Sequence, residues 1–349
     1  MYFPKKTFIT LLFALIVNIA NSQTRPFCQW DMTAFCSYTK YHPFAFIKAD
    51  NNWDILQIFR NERTLNYLDS IGVRYTISQI MLLHTEGFIR SNGNDRWQTT
   101  IPILDSLQTV QLRQYSQESA WKLYRKIKND CLMLVQYLQD SKLEKNAYSI
   151  LFSHILDGKM WNKISSYDNL KSSSTWNGEC WALYIPRSFS CGTNTYGERF
   201  IYNVTWSKEF PQSSNITDPS FISLFLEDYK QYGKIVNRAI LQEALSLGLI
   251  NEYGNLCIPV INSKDPKNIF NVYSDRIVDK IYDCLIHLDL SKLQTILNID
   301  SKKLFYTIFY HEVMWDLIKI LVDEKVIEYP RIWNTYKKSD SFTLVFIGK

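Results

Sequence analysis

The chain has 349 residues, 46% of them hydrophobic and 15% aromatic, and a formal net charge of +5. That length suits two domains of about 150 residues each. The charge is too small to imply a nucleic-acid partner, and seven cysteines without C-x-x-C spacing exclude a zinc ribbon and a thioredoxin-type site.

In chain order, Lys5-Lys6, the apolar run Thr7 to Ala20 and the small residues Ala20-Asn21-Ser22 read as a secretory signal peptide, residues 1–22, cleaved after Ser22. The run is shorter than the roughly 20 residues of a spanning helix. No second run of that length follows, so the mature chain is expected to be secreted or periplasmic, with no membrane span. Cleavage removes two lysines and no acid, taking the net charge from +5 to +3. Residues 23–44 form a lead-in segment containing cysteines and aromatics. Export permits disulfides. Cys28–Cys36 and Cys180–Cys191 are the local pairs expected, and Cys131 and Cys284 are expected as buried thiols on helices.

Thr64 to Ile71 suits a helix, with Leu65, Leu68 and Ile71 on one face. Gly72 to Tyr75 turns, and Thr76 caps a second helix, Ile77 to Thr85, whose apolar positions are Ile77, Ile80 and Leu83. Gly87 supplies a left-handed cap. Phe88-Ile89-Arg90 starts a strand, Ser91 to Asn94 turns, and Trp97 to Leu104 returns, with Pro102 marking an edge. A long amphipathic helix carries Trp121, Tyr124, Ile127, Cys131, Leu134 and Leu138. A shorter helix bears His154, and an apolar strand runs from Trp181 to Ile185.

Much of this recurs. Gly72 and Gly87 return 161 positions later as Gly233 and Gly248, and Gly87-Phe88-Ile89 as Gly248-Leu249-Ile250. Ile101-Pro102-Ile103-Leu104 and Phe152-x-His154 return 157 positions later as Ile258-Pro259-Val260-Ile261 and Phe309-x-His311. One four-residue deletion between Gly248 and Ile258 reconciles the two offsets. The sequence thus predicts a tandem duplication: repeat one over 45–187, an insertion hairpin and linker over 188–217, and repeat two over 218–349. The second long helix carries Ile277, Ile281, Cys284 and Leu288, and the second closing strand runs from Thr343 to Ile347.

Helix, turn, helix, glycine and hairpin is the order of a winged helix. Ile71 to Ile80, through Glu86-Gly87-Phe88-Ile89, resembles the helix–turn–helix and first wing strand of bacterial winged-helix regulators, over about 40 residues. The likeness reappears from Gly233 through Ile250. It implies an α+β fold of two tandem winged-helix-like repeats, mainly α-helical with short antiparallel hairpins. It also implies a DNA-recognition helix presenting Arg74, Ser78 and Gln79, or Asn237, Arg238 and Gln242. The stretch Asp54 to Asp105 holds five arginines, no lysine and six acids, and phosphate affinity needs a basic surface. The winged helix is therefore expected to serve packing or protein binding, with no nucleic acid.

The remaining chemistry falls to few residues. His154 and His311, brought together by the duplication, would suit an acid–base pair or a metal, with Asp157 and Glu312 as carboxylates. The ordinary alternative is two structural histidines. Gly178-Glu179-Cys180-Trp181-Ala182 is similar to the nucleophile segment of papain-like and transglutaminase-like cysteine enzymes, with His287 and Asp289, or His311, as base. Pro186 and the strand-like Leu183-Tyr184-Ile185 remove the helix N-terminus that such a thiolate needs. His311-Glu312 lacks the second histidine of H-E-x-x-H. Lys122, Arg125, Lys126 and Lys128 are expected as a solvated face opposite the Trp121/Tyr124 stripe. Trp176, Trp181, Tyr202 and Trp206 lie close together in sequence and are candidates for a ligand-stacking platform, with buried strand aromatics as the other reading of the same composition. Asn203-Val204-Thr205 and Asn215-Ile216-Thr217 match the glycosylation acceptor pattern. The sequence thus points to an exported, non-catalytic protein that binds a protein or glycan and needs no cofactor. The alternative is a secreted hydrolase or transferase using His154 and His311.

Overall fold

The computed structural model describes residues 24–330 and 342–346, apart from 39, 165–170, 173–174, 197–199, 208–217, 264 and 266. The expected signal peptide, the linker around Pro211 and the acceptor Asn215 lie outside these residues. The fold is mixed α+β. It falls into two compact units, Met1–Gln111 with Tyr167–Arg187, and Leu112–Ser166 with Ser188–Lys349. This division cuts differently from the sequence segments 45–187 and 218–349, because residues 112–166 group with the second unit.

In the first unit, strand β1 (Trp30–Tyr38) is followed by helices α1 (Pro43–Lys48) and α2 (Asn52–Ile58). Then come β2 (Arg63–Thr64), α3 (Leu65–Ser70) and α4 (Ile77–Thr85). Thr76 caps α4 through a capping box, its side chain accepting from Gln79 N while the Gln79 side chain accepts from Thr76 N. Gly87, at φ +78°, lets Phe88 N reach back to Leu83 O and closes the helix. Strands β3 (Ile89–Ser91) and β4 (Arg96–Thr99) form an antiparallel hairpin, and β4 also pairs with β2. Pro102 then interrupts the ladder and separates β5 (Ile103–Leu104) from β4.

The main sheet of this unit has the order β1-β7-β5, with β6 (Lys171–Ser172) also on β7 (Trp176–Tyr184). Met32 and Ile103 both face Ala182, antiparallel and parallel respectively. The core gathers Trp53, Leu56, Phe59, Leu68, Ile80, Leu83 and Phe88 against Trp176 and Cys180.

Helix α5 (Ser106–Asp140) runs 35 residues and crosses the division between the units. It starts well before Trp121, because Ser106 to Ala120 lacks Gly and Pro and places Leu112, Ser116 and Ala120 on the buried side. In the second unit a π-helical stretch, Ile150–Lys159, follows, then α6 (Trp161–Ile164), β8 (Cys191–Tyr196) and β9 (Phe200–Ser207). Next come α7 (Pro219–Tyr232), α8 (Arg238–Ser246), β10 (Val260–Asn262) and α9 (Ile269–Ile286). The unit ends with α10 (Ser291–Leu297), α11 (Lys302–Asp323) and β11 (Phe342–Phe346).

Gly248, at φ +68°, closes α8 as Gly87 closes α4, with Leu249 N donating to Ala244 O. The second sheet has the order β10-β11-β9-β8. Tyr202 and Val260 both face Leu344, again antiparallel and parallel respectively. Among the described residues no helix is long and apolar enough to cross a membrane.

Two expectations are corrected here. All seven cysteines are thiols, so neither Cys28–Cys36 nor Cys180–Cys191 is a disulfide. Asn203 is buried in β9 and accepts from Thr195 Oγ1 at 3.1 Å, so that acceptor site is closed in the folded chain.

Candidate functional site

The π-helical stretch is an unusual backbone. Such segments are rare and recur at functional sites. Gly158 permits it, since a Cβ there would lie 2.7 Å from the Ser153 carbonyl oxygen. Polar side chains gather around it within the second unit. Ser153 Oγ lies 2.5 Å from Thr205 Oγ1 and accepts from Thr193 Oγ1 at 2.9 Å. Asp157 accepts from Trp161 Nε1 at 3.1 Å and also bonds Thr193. Burial outweighs these bonds and pushes the Asp157 carboxyl up to about 6. Lys159 bonds Ser274 and Asp275 of α9.

His154 sits on the π-helix and is 5% exposed, with no hydrogen-bond partner for its Nε2 among the described residues. Burial, with the nearby Lys159 charge, lowers it to about 3. His311, on α11, is 4% exposed and bonds the Thr307 carbonyl through Nδ1 at 2.9 Å. Its ring packs on Trp161 at 4.5 Å between centroids and on Trp315 at 5.9 Å. Burial lowers it to about 4, against a small upward pull from the Thr307 carbonyl. Glu312 is wholly buried and takes Arg113 Nε at 3.2 Å.

Both imidazoles are therefore neutral at physiological pH and closed to solvent. An acid–base residue must reach its substrate and titrate near the working pH, and neither ring does. Among the described residues no three His, Cys, Asp or Glu side chains gather as metal ligands. The expected shared histidine site thus loses its access, and what remains is a buried polar network that fixes the packing.

The other site expectations meet the same obstacle. Cys180 lies in the middle of β7, opposite Ala34, and is fully buried. A strand thiol packed into the core is no nucleophile for an external substrate. His287 is exposed, and its Nδ1 contacts the Asp283 carbonyl instead of a thiol. The aromatic platform is corrected as well. Trp176, Trp181 and Tyr202 are 2% exposed or less, because both faces of their strands are covered. Trp206 is half-buried and packs against Gly192.

One surface differs from the rest. On α4, Ile80 and Leu83 are buried, but Ile77 is 63% exposed, Met81 48% and Leu82 42%. Ile77 thus faces solvent and leaves the expected core stripe. The helix contains no Asp, Glu, Lys or Arg. Gln79 turns inward, donating to the Asn51 and Asn52 side chains, so it is unavailable to read a base. Ser78 and Arg74 remain exposed, as does Arg238, while Asn237 caps α8. No family model matches this chain, and no curated protein and no solved structure matches it either. The site must be read from its own chemistry.

Proposed function

We propose that this is an exported, non-catalytic interaction protein built from two winged-helix-like repeats, with α4 as its protein-binding surface. One within-chain comparison carries the reading. At the repeat offset of 161, α4 and α8 are both nine residues long and start at matching positions. Ile77, Met81 and Leu82 then correspond to Arg238, Gln242 and Glu243. The corresponding helix thus carries polar side chains at these three positions in the second unit. The fold does not require the three aliphatic side chains, and leaving them in water forgoes the gain of burying them.

The duplication draws support from the sheets. In each unit the closing strand is flanked antiparallel by the strand before the helices and parallel by the strand after the wing, with matching registers. The lack of lysine and arginine on α4 favours a protein partner over nucleic acid. The burial of Trp176, Trp181 and Tyr202 removes the stacking surface a glycan would use.

The test transplants the second repeat's face onto the first, as Ile77→Arg, Met81→Gln and Leu82→Glu. The variant should keep its thermal midpoint. A photo-crosslinker at Ser78 of the otherwise native chain, in its source envelope, should trap a discrete protein that the same label at Ser246 of α8 does not. The triple change should abolish that product. Equal trapping from both helices, or trapping indifferent to the triple change, refutes the proposal.

A further inference from the structure

A second surface lies on α5. At 100° per residue, the exposed residues Trp121, Lys122, Arg125, Lys126, Asn129, Leu132 and Met133 fall within an arc of about 140°. The core residues Leu123, Ile127, Cys131, Leu134 and Leu138 occupy the opposite side. Trp121, expected beside Tyr124 on the buried stripe, is 36% exposed and lies with the cations, its ring edge-on to the buried Tyr124.

The charges on this arc are free to act. Among the described residues Lys122, Arg125 and Lys126 make no ion pair. Lys128 is engaged over the Tyr124 ring, near Glu324, and is left out. Between 121 and 133 the arc holds no carboxylate. It is bounded by Glu118, which binds Gln114, and Asp140, which binds Gln136. Asp130 points inward and is held by Lys280.

We infer that this face of α5 docks the protein peripherally on an anionic lipid surface. Three unpaired cations in two turns are complementary to acidic headgroups, each cation adding to the attraction. Trp121 stands level with them, and an indole suits the headgroup boundary. Leu132 and Met133, 42% and 48% exposed, add aliphatic area one to two turns further along the same arc. The face is the convex side of a single helix, about 18 Å long. A convex rod meets a flat charged plane along its length, whereas a peptide or small anion needs walls to hold it.

The experiment is flotation of the full chain with vesicles of phosphatidylcholine alone, or with about a third phosphatidylglycerol. Binding should require the anionic lipid at 0.05 M salt and fall away at 0.5 M, as the Debye length shrinks. Reversing the three cations (Lys122→Glu, Arg125→Glu, Lys126→Glu) should lower the partition at least roughly a hundredfold, from the loss of three cation contributions. A matched variant, Lys230→Glu, Lys234→Glu and Arg238→Glu, changes net charge equally and should keep most of the binding. Neutral Gln replacements at 122, 125 and 126 repeat the test should the reversal disturb folding by circular dichroism. Three results overturn the inference: no preference for anionic vesicles, equal loss in both triple variants, or retention on immobilised polyglutamate without vesicle binding.

Discussion

Acid should loosen the second unit through its two buried histidines. His154 falls from the ordinary 6.5 to about 3 in the fold, and His311 to about 4. A depressed imidazole contributes stability that is complete above pH 6.5 and is lost as pH falls toward the folded value. Asp157 acts in the opposite sense. Its carboxyl rises from 3.8 to about 6, so its contribution is complete below pH 3.8 and is lost as pH rises through 6. Between pH 4 and 6 the unfolded chain therefore holds about two more histidine protons than the fold and one fewer on Asp157. The net is about one proton, or about 1.4 kcal/mol of stability per pH unit, falling toward acid. Replacing Asp157 with Asn removes the opposing proton and should steepen the slope to about 2.7 kcal/mol per unit. Replacing His154 with Gln should flatten it to near zero. The assay is urea unfolding at pH 4.5, 5.2 and 6, with amide exchange of α11 to report the second unit. Slopes for the two variants that match the parent within about 0.3 kcal/mol per unit refute the argument, because burial would then not control these groups.

Three further outcomes follow from particular contacts. Arg113→Met leaves the wholly buried Glu312 without its guanidinium and should cost about 3–5 kcal/mol in urea, whereas Arg113→Met with Glu312→Gln should recover much of it. Gly158→Ala forces a Cβ to within 2.7 Å of the Ser153 carbonyl oxygen and should cost about 1–3 kcal/mol, with lost exchange protection across Ile150–Lys159. Ile185 is β-branched at φ +73°, so Ile185→Asn should raise stability by about 1 kcal/mol; a fall in stability would mean that packing of the isoleucine outweighs its backbone strain.

Local signals carried well from sequence to structure. Thr76 capped its helix, and Gly72, Gly87, Gly233 and Gly248 took the left-handed conformation their positions required. Four features escaped for physical reasons. Helix α4 is apolar on most sides, so periodicity gives its type but not which side meets water, and it places Ile77 on the core face although Ile77 is 63% exposed. The strand aromatics Trp176 and Trp181 fit both a platform and a core by composition, and the strands that pair with β7 come from distant parts of the chain. A π-helical stretch has the composition of an ordinary helix, and only Gly158 hinted at it. The pairing of β1 with β7 joins residues 138 to 154 positions apart, beyond any local pattern.

The two sheets also bear on where the proposed repeat begins. If Met32 and Tyr202 hold equivalent places, opposite Ala182 and Leu344, then β1 and β9 are copies of one strand. The lead-in segment and the insertion hairpin, placed outside the repeats on sequence, would then each supply the first strand of a repeat. Duplicated units share their interior constraints and are free to diverge outside. The two proposed repeats have glycine caps and sheet registers in common. The outward faces of α4 and α8 differ, since one is aliphatic and the other carries Arg238 and Glu243. Inward-facing positions differ as well, Gln79 against Ile240 and Leu83 against Ala244, but an aliphatic-to-charged change at a solvent-facing position barely affects folding. On the proposed reading α4 is the binding helix, and exchanging the two faces is expected to move the binding without moving the fold.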